Sequence, residues 1–185
     1  MNSSFNIETI ESALTEWKDT GEDFYENIKL SISEPFHQKD VEVWMTAIWV
    51  VDIKAIAEAL RAFGNMTTDY FVQVVPHLRA QCIDILSIDH PNIRQKIDRE
   101  WSDTRIVNAV HSSAVNVYTD DAGEIFLSLV GNADWSVEHG LSVTWRWTRT
   151  GFILERVGDD DDLHVNDDRK LIYASIDGDM CTQRA

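Results

Sequence analysis

Glu138 and His139 place a carboxylate next to an imidazole, the pair in this chain best suited to acid–base chemistry or ionic binding. They lie in residues 134–140, between two strand-like runs, where we predict a structured loop. If the two side chains point outward, the carboxylate favours a protonated imidazole and the pair belongs to a binding surface. If they point inward, they hold the loop through hydrogen bonds to its backbone. We find no nucleophile or orienting third group beside them, so the pattern favours binding over catalysis.

Three further residues predict how this loop is built. The indole of Trp135 can plug the edge of the core while its N–H finds a hydrogen-bond acceptor. Gly140 suits a positive φ at the start of the following strand. His111 lies in another strand-like run and can face the same loop if its strand lies nearby.

A second candidate surface is the acidic segment 159–168, whose acids are Asp159, Asp160, Asp161, Asp162, Asp167 and Asp168. A calcium loop needs alternating acids wrapped around the ion, but alternation from Asp159 meets Leu163 where an acid is required. The pattern is therefore typical of a solvated acidic loop, and its functional version is a patch for a basic partner.

The charge balance narrows the classes of partner. The chain has 16 Lys and Arg against 32 Asp and Glu, a formal net charge of −16. Such a field repels phosphate backbones and anionic membranes, so neither nucleic acid nor a membrane surface is an expected partner. It steers a basic protein toward the chain, although acidity that serves solubility alone remains the alternative.

The thiols and the hydropathy indicate the compartment. Cys82 and Cys181 fit no metal or redox spacing, and Cys82 falls on an apolar helical face where it acts as a small hydrophobe. The N-terminus lacks the basic and apolar regions of a signal peptide, and no apolar run approaches the ~20 residues of a membrane span. We expect a cytoplasmic protein with reduced thiols.

Hydrophobic periodicity predicts an α+β fold in a single domain, residues 1–185. Residues 1–103 are mainly helical, with one short strand at 28–32, an ambiguous run at 41–51, and a helical face at 71–85 that Pro76 should kink or split. Residues 104–185 are mainly β, and tight connections favour an antiparallel meander against which the helices pack. The predicted strands of this second half are 106–118, 124–130, 141–148, 152–157 and 171–176. Trp145 and Trp147 share one strand face, and we interpret them as core residues beneath the helices.

The second half also resembles a known family. The run Asp-Trp-Ser-Val-Glu-His-Gly-Leu at 134–141 follows Glu-Ile-Phe-Leu-Ser-Leu at 124–129 and precedes Arg-Val-Gly at 156–158. This resembles small bacterial domains of unassigned function whose hallmark is Trp-x-x-Glu-His-Gly-Leu between strands, here Trp135, Glu138, His139, Gly140 and Leu141. The resemblance covers residues 106–160. Members are often grouped with immunity proteins of bacterial toxin systems, whose toxins are in many cases basic nucleases.

The resemblance, the net charge of −16 and the lack of a catalytic motif together predict a binding protein that neutralises a cognate basic toxin by direct association, with no enzymatic activity, cofactor or metal. From their charge, we expect Glu138, His139 and the acids of segment 159–168 to be its contact residues. One alternative is a metal-dependent hydrolase that uses His111, Glu138 and His139. The other is a regulatory domain that binds a small ligand between helices and sheet.

Overall fold

The fold is mixed α+β, with helices mostly in the first 108 residues and a mainly antiparallel sheet toward the C-terminus. A computed structural model describes residues 7–20, 25–46, 48, 52–67, 69–90, 92–159, 170–175 and 180–184. The helices are α1 (Ile7–Thr20), α2 (Ile53–Gly64), α3 (Asp69–Ser87), α4 (Ile93–Glu100) and α5 (Asp103–Asn108). The strands are β1 (Tyr25–Ser33), β2 (Asp40–Thr46), β3 (Val110–Thr119), β4 (Ile125–Ala133), β5 (Ser136–Thr148), β6 (Gly151–Gly158), β7 (Leu171–Ala174) and β8 (Cys181–Gln183).

Strands β1 to β6 form one sheet in sequence order. β1 pairs antiparallel with β2, and β2 pairs parallel with β3, with Val43 opposite Val115. A parallel neighbour needs a long crossover, which helices α2 to α5 provide. β3, β4, β5 and β6 follow one another through short turns, so the predicted meander is confirmed. The run at 41–51, which the sequence left ambiguous, forms a strand as far as Thr46. Residues 47 and 49–51 lie outside the described residues.

Two sequence predictions about strand boundaries are wrong. The strand predicted to begin at Ile106 begins at Val110, because Ser102 Oγ accepts a hydrogen bond from Arg105 N and caps the short helix α5. The predicted last strand ends at Ala174 and belongs to a separate two-stranded sheet with β8.

Pro76 lies inside α3, which is one helix, so of the two alternatives predicted there the split into two helices is wrong. The carbonyl that loses its donor belongs to Val72, which is 74% exposed, so water can satisfy it.

Contacts between Cα atoms divide the chain into two compact units. Unit 1 comprises Met1–Thr67, Ser113–Leu129 and Trp145–Ile153. In its core, α1 and α2 contact each other and strand β1, and Leu14, Leu60 and Ile32 of these elements are fully buried. Trp145 is 1% exposed, and its ring lies 5.6 Å from that of Phe63 in an edge-to-face arrangement. The prediction that Trp145 is a core residue is confirmed, whereas the same prediction for Trp147 is wrong, because Trp147 is only half-buried near the end of β5.

Unit 2 comprises Thr68–Ser112, Val130–Thr144 and Leu154–Ala185. Helix α3 supplies Val74, Leu78 and Cys82 to its core, and contacts α4, α5 and the β7–β8 sheet. Burying these apolar side chains removes them from water and stabilises the unit. Among the described helices, none combines the length and the apolar character that a bilayer crossing requires.

Candidate partner-binding surface

The turn between β4 and β5 is anchored in the core of unit 2 by Trp135. The side chain of Trp135 is buried, and its indole Nε1 donates a hydrogen bond to Gln81 Oε1 at 3.4 Å. The turn itself is two residues long, Asp134 and Trp135, and Asp134 N donates to the carbonyl of Ala109 at 2.9 Å. The prediction that Trp135 plugs the core edge with its N–H satisfied is confirmed, while Gln81 was not anticipated as its partner.

Gly140 fixes the first residues of β5. Its φ of 68° lies in the left-handed region that favours glycine, as predicted, and such a residue inside a strand is typical of a bulge. Ser136 Oγ donates to the carbonyl of Gly140 at 2.9 Å, and Leu141 is buried behind it. Trp135, Gly140 and Leu141 therefore have the structural roles that the sequence predicted.

The predicted loop at residues 134–140 is wrong in its extent. Glu138 and His139 lie in strand β5, which begins at Ser136, because the two-residue turn returns the chain to the sheet at once. Glu138 is exposed to solvent. The side chain of His139 lies outside the described residues. Glu138 of the hallmark segment therefore presents its carboxylate at the surface.

His111 does face this turn, as the sequence suggested. Its Nε2 lies 2.7 Å from Asp134 Oδ1, and the two side chains are 57% and 63% exposed. Even a fully ionised pair that is this exposed contributes only about 0–1 kcal/mol to stability, so either side chain can leave the other and bind an external partner. Asp134 is a surface acid that the sequence analysis did not single out. We define the turn surface as Asp134, Glu138 and His111.

The acidic segment is described only at its first residue. Asp159 is half-buried; its carboxylate accepts a hydrogen bond from Gln81 Nε2 at 3.3 Å, and its carbonyl accepts one from Ser142 Oγ at 3.0 Å. Gln81 thus links Trp135 to Asp159 and joins the turn to the end of β6. The other predicted contact acids, Asp160, Asp161, Asp162, Asp167 and Asp168, lie outside the described residues.

Two ionisable groups of unit 2, Cys82 and Tyr173, are held in their neutral forms by burial. Burial raises the pKa of the Cys82 thiol to about 12, with Arg79 and Arg105 opposing it weakly. Burial also raises the pKa of Tyr173, and so does the hydrogen bond from its hydroxyl to Asp84. These groups stabilise unit 2 and are poor nucleophiles or bases at neutral pH. In the described ranges, no three His, Cys, Asp or Glu side chains are arranged to hold a metal ion.

The comparisons with known proteins address the whole chain. Neither a curated protein nor a solved structure matches it. One family model does match, over residues 7–165, and this family is described as a domain of unknown function (DUF6985). The match includes α1 to α5 and β1 to β6, well beyond the hallmark segment. The chain therefore belongs to the DUF6985 family.

Proposed function

We propose that this chain is a cytoplasmic immunity protein that neutralises a cognate basic toxin by binding it directly. The observation that carries the proposal is the turn surface, where Asp134 and Glu138 are exposed on backbone that Trp135 anchors in the core. The formal net charge of −16 and the resemblance of residues 134–141 to domains grouped with immunity proteins support it.

A fixed backbone matters for such a role because association costs conformational entropy. The turn is held from three sides: the indole bond to Gln81, the bond from Asp134 N to Ala109 O, and the bond from Ser136 Oγ to Gly140 O. Acids that are already in place lose less freedom on binding, and more of the interaction energy appears as affinity.

The charge contributes mainly to rate and specificity. An acidic surface accelerates encounter with a basic protein and disfavours acidic partners, and the effect falls as salt is added. A toxin that acts on nucleic acid must itself attract phosphates, so a basic active face is complementary to this chain. Inhibition then follows from occupation of that face.

The first test is a tagged pull-down from a lysate of the native organism at low salt, eluted by raising the salt concentration and read by mass spectrometry. We expect a basic protein near one to one that is toxic when expressed alone and harmless when expressed with this chain. Bait that elutes without such a protein contradicts the proposal.

A charge-reversal pair then tests the surface. Asp134→Lys combined with Glu138→Lys should raise the Kd for the captured toxin about ten-fold or more and flatten its dependence on salt. The matched control is Asp98→Lys with Asp121→Lys, two exposed acids on α4 and the β3–β4 turn that leave the net charge identical. Equal losses of affinity in both double variants assign the effect to overall charge and remove the turn surface from the proposal.

Reversal of the charges of Asp160, Asp161 and Asp162 tests the acidic segment in the same binding assay.

A further inference from the structure

A cavity of about 430 Å³ opens in unit 1, at the start of α2 and beside the β3–β4 and β5–β6 turns. Its volume lies within the range of small-molecule sites. The residues that matter for recognition are Asp52 and Ala55 on one side, Glu124 on a second, and Arg146, Trp147 and Arg149 on a third.

Two of the four charged side chains that line this cavity form an ion pair. Arg146 Nη1 lies 2.8 Å from Glu124 Oε1 in a half-buried ion pair. Asp52 Oδ1 accepts a hydrogen bond from Ala55 N at 3.0 Å and caps α2. Arg149 is exposed and has no hydrogen-bond or ion-pair partner among the residues that the structure describes. The guanidinium of Arg149 is therefore available to a ligand, and a guanidinium recognises carboxylates through two parallel hydrogen bonds.

Both turns that border the cavity are held by internal hydrogen bonds. In the β3–β4 turn, Asp120 Oδ1 accepts from Ala122 N at 3.0 Å and from Glu124 N at 2.8 Å. In the β5–β6 turn, Thr148 Oγ1 donates to the carbonyl of Gly151 at 2.8 Å, which places Arg149 at the tip of a defined turn. A cavity with fixed walls binds at a lower entropic cost.

The remaining lining is apolar apart from Thr148, and it includes one large flat ring. The indole of Trp147 is half-buried, and Ala55, Ala122 and Ile125 complete the apolar wall. An aromatic ligand gains both area burial and ring stacking against such an indole. A half-buried indole that lines the cavity together with the guanidinium of Arg149 is suited to a ligand with a flat body and one negative charge.

We propose that this cavity binds a small carboxylate with a flat apolar body, with the carboxylate on Arg149 and the body against Trp147. The site is independent of the turn surface, which belongs to unit 2. A failure here leaves the immunity role untouched, and a failure of the immunity role leaves this site untouched.

The test uses three probes that share a phenyl group and differ in charge: phenylacetate, its neutral amide, and 2-phenylethylamine. Isothermal titration or ligand-observed NMR on the full chain should show the carboxylate binding at least ten-fold more tightly than the amide, with the amine weakest. Amine binding that equals or exceeds carboxylate binding overturns the proposal, because Asp52 and Glu124 would then be the recognition groups. Absence of carboxylate binding at millimolar concentration overturns it as well.

Two variants locate the site. Arg149→Met should raise the Kd for phenylacetate about ten-fold and bring it close to that of the amide. Trp147→Leu should weaken all three probes together, since it removes the stacking surface and leaves the charge. The matched control is Arg61→Met, an exposed arginine in the last turn of α2 that does not line the cavity. Phenylacetate binding that withstands Arg149→Met, or that falls equally with Arg61→Met, contradicts the assignment.

Discussion

Trp135 and Gln81 are 54 residues apart in sequence, yet the indole Nε1 of the first donates to the side-chain oxygen of the second inside unit 2. Both side chains are buried, so neither group can turn to water if the bond is lost. The bond ties the two-residue β4–β5 turn to helix α3. It explains why a large aromatic precedes the exposed Glu138: the ring holds the backbone that presents the acid.

Replacement of Trp135 by phenylalanine keeps most of the buried ring but removes the N–H donor. Because the amide oxygen of Gln81 is then buried without this donor, we expect the free energy of unfolding to fall by about 1–2 kcal/mol. Urea denaturation followed by circular dichroism measures it. Trp44→Phe is the matched control, since Trp44 is half-buried on β2, and it should change stability by less than ~0.5 kcal/mol. Equal losses in the two variants would contradict a specific role for the indole bond.

The elements with strong periodicity could be predicted from the sequence. The 3.6-residue spacing that runs through Ile10 and Leu14 predicts α1, and both of these residues are fully buried. The turn residues between β3, β4, β5 and β6 indicate the meander, because short connections can join only antiparallel neighbours. The roles of Trp135 and Gly140 also follow from residue type alone, since an indole N–H needs an acceptor and a positive φ favours glycine.

Long-range pairing could not be predicted in the same way. The parallel pairing of β2 with β3 joins Val43 to Val115 across more than 60 residues, and no local pattern encodes it.

Glu34 is a buried acid that the sequence alone would assign to the surface. It is fully buried because its carboxylate accepts hydrogen bonds from Phe36 N at 2.6 Å and from His37 N at 2.7 Å. The sequence indicates the role of Gln81 only weakly, because it shows no more than an amide side chain next to the apolar face of α3. The cavity beside Trp147 depends on two turns and a helix start meeting in space.

Three glycine-to-alanine substitutions should rank by backbone environment. A Cβ at Gly131 would lie 2.1 Å from the carbonyl oxygen of His111, so Gly131→Ala should cost at least ~3 kcal/mol or prevent folding. Gly140→Ala should cost about 1–2 kcal/mol, because its φ of 68° strains an L side chain. Gly64→Ala, at the end of α2, should be neutral or stabilising by up to ~1 kcal/mol. Urea denaturation of the three variants gives the order, and any other order contradicts these assignments.

The two cysteines should differ in reactivity toward a thiol reagent in the native state. Cys82 is fully buried, and burial raises the pKa of its thiol to about 12, so at pH 8 it has neither access nor thiolate. Cys181 is exposed. Titration with a chromogenic disulfide at pH 8 should therefore give one fast thiol per chain in buffer and two in 8 M urea. Cys181→Ser should abolish the fast phase, and two fast thiols in native protein would show that α3 opens on the timescale of the assay.

His77 should make the stability of unit 2 depend on pH. The imidazole is 9% exposed, its Nδ1 lies 2.6 Å from Thr182 Oγ1, and burial lowers its pKa below the ordinary value of 6.5. As the pH falls below 6.5, His77 becomes protonated in the unfolded chain before it does so in the folded chain. The free energy of unfolding therefore decreases as the pH falls from 6.5 toward the pKa of His77 in the folded chain. One such group contributes at most about 1.4 kcal/mol per pH unit. His77→Gln, which retains a polar partner for Thr182, should flatten this slope between pH 6.5 and 5. Urea denaturation at four pH values compares the two proteins, and parallel curves for His77→Gln and the native chain would refute the role of this histidine.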